Sequence, residues 1–417
     1  MEWQKTDMKF GRYSARELVE RYGSPLYVYE KDVICRQASA LVETFKNLPL
    51  DIHYACKANT NITIMKLLGD CGLKMDCVSR GEILAAQMAG FSNDHITFTG
   101  NNVSEEDMAW IYDQNILMIL DSVDQLQRFG ELLPEKEGPR GCGVRLNHVG
   151  AGHHSHVITG GPDSKFGIVK EDYASLFEVI KKYNITLKGI HQHIGSGILN
   201  ADDWIVAMDI LLDSLKHFPP IEWVDFGGGL GVPYAPEDKA LDMQQLGQRV
   251  EQRWQEFVNA NPSASTMRIH MQPGRFLLAE SGTLLMTVQS LKKTEKHIFA
   301  GTDSGLHHHI RHPLYKAYHP IWNATGKGRP RQITAITGNI CESGDLFTHG
   351  REMAEVQVGD ILALGKAGAY GFSMASHYNS HLLPAEVMID SDEPLLIRRR
   401  ECYDRLLTTQ EGLNENH

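Results

Sequence analysis

Residues 223–231 read Trp-Val-Asp-Phe-Gly-Gly-Gly-Leu-Gly. Trp223–Phe226 has the apolar composition of a buried strand, and three glycines follow it without a break. A glycine run at such a place leaves backbone N–H groups exposed, and these can cradle a phosphate. No Gly-Lys-Ser/Thr follows, so this is not a Walker loop, and the spacing is not a convincing dinucleotide fingerprint. On these residues alone a plain tight turn reads equally well.

The same construction, an apolar strand running into a polar or glycine residue, recurs on both sides. Further strands are predicted at Ile52–Cys56, Lys74–Val78, His95–Thr99, Ile116–Leu120, Gly143–Leu146, Leu187–His193 and Arg268–Gln272. Helical patterns such as Asn61–Leu68, Gly81–Ala89 and Trp204–Leu215 lie between them. Eight strands alternating with helices read as an α/β architecture, a parallel sheet closed into a (β/α)8 barrel of the TIM type. The residues fit for chemistry fall at the C-terminal strand ends. Lys57 follows the first strand, Ser79-Arg80 the second, His193 the sixth, Gly227, Gly228 and Gly229 the seventh, and Gln272 and Arg275 the eighth. The βα loops of a barrel meet at that face, whereas a doubly wound sheet would gather its contacts at one switch point.

After about residue 280 the pattern changes. Thr283–Val288, Ile333–Ile336 and Ile361–Leu364 follow one another without long helices, as in a mainly antiparallel β domain. Pro25–Tyr29 is expected to join it. The division is therefore a barrel over 30–280 and a β domain over 1–29 and 281–417. A chain of 417 residues is long enough for two such cores.

The net charge of −11 and the shortness of the basic clusters, Arg311-His312 and Arg398–Arg400, argue against nucleic acid and anionic membrane as partners. No apolar run approaches ~20 residues, so no membrane span is expected, and the first residues do not read as a secretory signal. Seven scattered cysteines without CxxC spacing suit a reducing cytoplasm and give no zinc framework.

Lys57 lies just past an apolar strand, where partial desolvation favours a nucleophilic amine; by position alone an ordinary surface lysine is the commoner outcome. His191 and His193 share one face of a strand and could bind metal, act as a base or lie on a flat ring, with a plain core histidine as the default for each. Ser196 between two glycines adds anion donors. Gln272-Pro273-Gly274-Arg275 sets an arginine in a turn, and Cys341-Glu342-Ser343-Gly344-Asp345 and Gly368-Ala369-Tyr370-Gly371 lie in the β domain. Each is weak alone. Together a lysine amine, two glycine-rich anion loops, a histidine and an arginine are what a phosphorylated aromatic aldehyde requires.

This set, in this order, resembles the alanine-racemase-fold decarboxylases that depend on pyridoxal 5'-phosphate, and among them the diaminopimelate decarboxylases. The resemblance covers nearly the whole chain. It implies decarboxylation of an amino acid, with meso-diaminopimelate giving L-lysine. Lys57 would hold the cofactor covalently, and His193 would stack on its ring. Gly227, Gly228, Gly229 and Ser196 would hold the phosphate, with Gly274 beside them and Arg275 at the phosphate or the substrate carboxylate. Asp76 and Arg145 would lie by the ring substituents. Arg311 and Tyr315 would grip the distal carboxylate, and Glu342 the distal amine. Cys341 or Lys57 would deliver a proton. The resemblance further implies a homodimer with shared sites, to which Cys341, Glu342 and Tyr370 come from the partner subunit.

The chain departs from that family at several positions. Gln272 stands where glutamate is usual, and a neutral amide is a weaker partner for a protonated pyridine than a carboxylate. His307-His308-His309 and His312 replace Asn-Asp and proline, Asn339 replaces proline, Lys366 replaces aspartate, and Asn147–His156 is rich in histidine. In a strand His307 and His309 would share a face, but no third ligand at suitable spacing is evident, so no metal is expected. The departures keep open a decarboxylase of a siderophore or antibiotic intermediate such as a citryl-diamino acid. Less favoured are an amino-acid racemase and an inactive regulator, against which the retained Lys57 speaks.

Overall fold

A computed structural model describes residues 7–133, 141–148, 164–193 and 195–410. Of the histidine-rich segment 147–156, residues 149–156 lie outside the described residues, as does Ile194. The chain divides into two compact units. One comprises Cys35–Pro233 and Glu237–Leu277; the other Met1–Ile34, Tyr234–Pro236 and Leu278–His417.

Strand β1 (Leu26–Glu30) precedes the barrel strands β2 (Leu50–Ala55), β3 (Lys74–Cys77), β4 (Ile96–Phe98), β5 (Leu117–Leu120), β6 (Gly141–Arg145), β7 (Thr186–His191), β8 (Trp223–Asp225) and β9 (Arg268–Met271). β2 to β9 pair in parallel, each with the next in sequence, and β9 returns to β2 through Ile269 opposite Leu50, closing an eight-stranded barrel. The strands are short apolar runs because both faces are buried: in β5, Met118, Ile119 and Leu120 are all inaccessible. The end of the barrel away from the glycine run is filled by the Trp223 ring stacked on His270 at 4.9 Å, with His53 at 4.8 Å from His270. A Cβ on Gly189 of β7 would fall 2.2 Å from the Trp223 ring, so only glycine admits that indole.

The helices begin one to three residues away from their predicted starts, at Ile62, Arg80 and Ala201, because capping side chains set them. Asn61, Ser79 and Asn200 each accept a backbone N–H of the first turn, at 3.0, 3.2 and 2.9 Å. Such caps contribute about 1 kcal/mol each.

The second unit is built on β10 (Gly282–Lys293), β11 (Ile298–Thr302), β12 (Ile321–Asn323), β13 (Arg331–Thr337), β14 (Leu346–Ala354), β15 (Ile361–Leu364), β16 (Ala385–Asp390) and β17 (Glu393–Arg398). Its sheet runs β14-β13-β11-β10-β1-β16-β17, with β15 pairing β10 and β12. Most pairs are antiparallel, but β1 runs parallel to β16 and β11 to β13. The period of two splits β1 cleanly. Leu26 and Val28 join a cluster with Leu285, Ala363 and Val387, while the Tyr27 and Tyr29 hydroxyls donate to the His308 carbonyl at 2.7 Å and to Glu386 Oε1 at 2.6 Å. The chain turns at Leu306–His308, so His307 and His309 do not alternate along a strand. The His308 and His309 amides both reach back to the Gly305 carbonyl, which curls the chain.

Candidate active site at the C-terminal end of the barrel

Lys57 sits in a single helical turn, Cys56–Ala58, directly after β2. Its Nζ lies 3.6 Å from Asp76 Oδ2 at the end of β3; the lysine side chain is 39 % exposed and the aspartate wholly buried. Burial raises the Asp76 pKa, and Lys57 and the Thr99 hydroxyl oppose that rise. Thr99 Oγ1 donates to Asp76 Oδ1 at 2.5 Å, and Oδ2 is the oxygen that faces the Lys57 amine. The amine therefore faces a buried carboxylate on one side and solvent on the other. Thr99 had no predicted role; its place at the end of the predicted third strand was the available signal.

The glycine run makes a backbone cup. Gly227 has φ +70°, and a Cβ there would lie 2.3 Å from the Gln192 carbonyl; one on Gly228 would lie 2.3 Å from the Gln272 carbonyl. Gln272 N in turn donates to the Gly227 carbonyl at 2.7 Å. Side chains are excluded, so the loop presents peptide groups. Ser196 Oγ accepts from Arg275 Nε at 3.1 Å and Nη2 at 2.8 Å, which pairs a guanidinium with a hydroxyl as an anion site requires. Gly274 is seated on Ala58 and Ala55, with room for little more than hydrogen.

His193 Nδ1 accepts the Gly228 N–H at 3.2 Å. Burial, with Lys57 and Arg145 nearby, holds the His193 pKa well below the usual range, so the ring is neutral and its Nε2 carries the proton. His191 is more deeply buried, and neutral for the same leading reason. It is engaged elsewhere, with its Nε2 3.1 Å from Gln272 Oε1. Gln272 Nε2 donates to Asp225 Oδ2 at 2.8 Å, and Gly227 N donates to Asp225 Oδ1 at 2.8 Å. Asp225 was read in the sequence only as part of a strand end. Arg145 closes β6, buried, with its guanidinium 4.5 Å from the Phe166 ring. Burial lowers its pKa to about 10 against the pull of Asp121, Asp76 and Asp225, which leaves it cationic at neutral pH.

The remaining predicted residues belong to the other unit. Arg311 is buried, its guanidinium 5.4, 6.0 and 5.9 Å from the rings of Tyr234, Tyr315 and Tyr370. Arg311 Nε donates to His319 Nε2 at 3.2 Å. Cys341 and Glu342 are exposed on a turn that Asp345 organises by accepting the amides of Leu306 at 2.6 Å and Ile340 at 2.8 Å. Tyr370 has φ +56°, an uncommon conformation for a bulky residue. His307, His308 and His309 are all buried. Among the described residues no three His, Cys, Asp or Glu side chains are grouped to hold a metal.

Pyridoxal phosphate fits the barrel site on the structure's own features. The cup that a Cβ would fill suits its phosphate, the neutral flat ring of His193 suits its pyridine, and a lysine held by a buried carboxylate suits its aldehyde.

Residues 31–279 match the family model of the pyridoxal-binding domain of pyridoxal-dependent decarboxylases. A diaminopimelate decarboxylase of Methanothermobacter thermautotrophicus is 37% identical over 415 residues, 97% of this chain and 96% of that protein. One of Escherichia coli K12 is 33% identical over 422 residues, covering 97% and 98%. A crystal structure of diaminopimelate decarboxylase from M. jannaschii in complex with L-lysine superposes with a TM-score of 0.88 at 30% identity, covering 98% of each chain. With the family model spanning more than half its length and these relatives matching nearly all of it, the chain belongs to the diaminopimelate decarboxylase family of pyridoxal-dependent decarboxylases.

Proposed function

We propose that this protein removes carbon dioxide from meso-diaminopimelate to give L-lysine, at the barrel site built around Lys57. The observation that carries this reading is the Lys57–Asp76 pair beside the glycine cup at the barrel's C-terminal end.

When bound, pyridoxal phosphate supplies an electron sink for the pair left on Cα as the carboxylate departs. The chain's own residues do the rest. Lys57 would hold the cofactor through its amine. Asp76 keeps the Lys57 amine in place. Gly227, Gly228, Gly229, Ser196 and Gly274 bind the phosphate, with Arg275 there or at the substrate carboxylate. His193 would lie against the ring, Arg145 by its substituents, and Gln272 at its nitrogen. Arg311 and Tyr315 hold the distal carboxylate, Glu342 the distal amine, and Tyr370 lines the same pocket. Cys341 Sγ delivers the proton that Cα needs.

In this reading the protein is a homodimer, and Cys341, Glu342 and Tyr370 complete the site of the second copy. The resemblance of these motifs to the family supports it. Seven unpaired cysteines support a cytoplasmic setting. No helix among the described residues is long and apolar enough to cross a membrane.

A substrate panel tests the assignment. Carbon dioxide release from meso-diaminopimelate, and not from L-lysine, L-ornithine or a citryl-diamino acid, is the expected result. Release from the citryl conjugate alone would replace diaminopimelate by a siderophore-type substrate.

A further inference from the structure

Asp225, Gln272 and His191 form one buried chain across three strand ends. Their exposures are 1%, 4% and 1%. Each polar end of the Gln272 amide is assigned by its neighbour. The nitrogen donates to Asp225 Oδ2 at 2.8 Å. The oxygen lies 3.1 Å from His191 Nε2, which must then donate, since an amide oxygen only accepts. Turning the amide over would set oxygen against carboxylate and nitrogen against N–H. Asp225 is itself fixed, because its second oxygen accepts the Gly227 amide at 2.8 Å.

Resting on the cofactor reading above, we propose that Asp225 is a positioning residue for the cofactor. It locks the Gln272 amide with its carbonyl oxygen available to the protonated ring nitrogen, and it provides the buried negative charge that Gln272 lacks. Charge reaches the ring through one hydrogen-bonded amide, and such chains polarise one another where water is excluded. Two donated hydrogen bonds suit the ionised carboxylate. Burial pushes the Asp225 pKa up to about 8, opposed by the Gly227 amide, Gln272 and Lys57 and reinforced by Asp76. The charged groups facing it are thus Asp76, Lys57 and Arg145. A cation on the ring would draw that pKa back down towards the ordinary carboxylate range, so ring protonation and Asp225 ionisation support each other.

The test is a pH titration of the absorbance of the protein-bound cofactor, which requires no turnover. Asp225→Asn should move the midpoint down by about 1 pH unit, as loss of a nearby opposite charge does. Adding Gln272→Glu to that variant should restore it, because the carboxylate then stands at the ring directly. A merely structural Asp225 would not respond to such a restoration. An unchanged midpoint in loaded Asp225→Asn overturns the proposal. If Asp225→Asn does not load cofactor, Gln272→Leu breaks the chain while leaving the Gly227 bond; the same downward shift supports the proposal and no shift overturns it. Wild-type protein in which borohydride traps no cofactor on Lys57 would instead overturn the cofactor reading, and this proposal with it.

Discussion

His319 Nε2 accepts the Nε–H of the buried Arg311 at 3.2 Å, and His319 Nδ1 lies 3.0 Å from the Gly365 carbonyl. The second contact puts the imidazole proton on Nδ1 and so leaves Nε2 free to accept, from Arg311 and also from His309 Nε2 at 3.2 Å. A histidine thus sets the plane of a guanidinium amid three tyrosine rings. His319→Ala should raise the KM for meso-diaminopimelate about tenfold with little change in kcat, the loss of roughly 1.4 kcal/mol of orienting interaction. Steady-state kinetics read this split. A fall in kcat with unchanged KM would remove Arg311 from substrate binding.

Gly228 faces the Gln272 carbonyl so closely that an added Cβ would lie 2.3 Å from it. Gly228→Ala must push the two loops apart and so deform the cup. Cofactor affinity should fall at least about tenfold, or about 1.4 kcal/mol, measured by equilibrium titration of the cofactor-free protein. Unaltered affinity would place the phosphate elsewhere.

At the other end of the barrel, Asp51 accepts from Arg268 Nε at 2.7 Å and lies 3.3 Å from Lys74 Nζ. Burial works to raise its pKa, but the two cations prevail and hold it at about 2. A carboxyl depressed in the folded state stabilises the fold above its unfolded pKa and loses that contribution as pH falls through the folded value. Between about pH 4 and pH 2 this group should therefore cost the fold about 2 kcal/mol. Asp51→Asn should flatten that part of the acid-unfolding curve, as followed by denaturant titration at stepped pH.

The barrel and its working face were legible because glycines and strand ends encode them locally. Gly227 and Gly228 are glycines for a reason visible in three dimensions as a clash, and in sequence as an unbroken run after Phe226. Lys57, His193 and Arg275 were legible from their places behind strands. The Asp225–Gln272–His191 chain was not, since it joins residues of three strands that only barrel closure brings together. The surroundings of His307–His309 were not legible for a related reason: they come from Tyr27, His319, His381 and Leu382, which the fold and not the local sequence brings there. The parallel pairings of β1 with β16 and β11 with β13 escaped too, because alternation along a strand says which face is buried and not which neighbour it takes.

The most direct measurement loads the purified protein with pyridoxal phosphate, adds meso-diaminopimelate and follows carbon dioxide and L-lysine together. Equal molar release of both, abolished in Lys57→Ala, is the expected result. No release from protein whose Lys57 still carries cofactor trapped by borohydride would contradict the assignment of diaminopimelate as substrate.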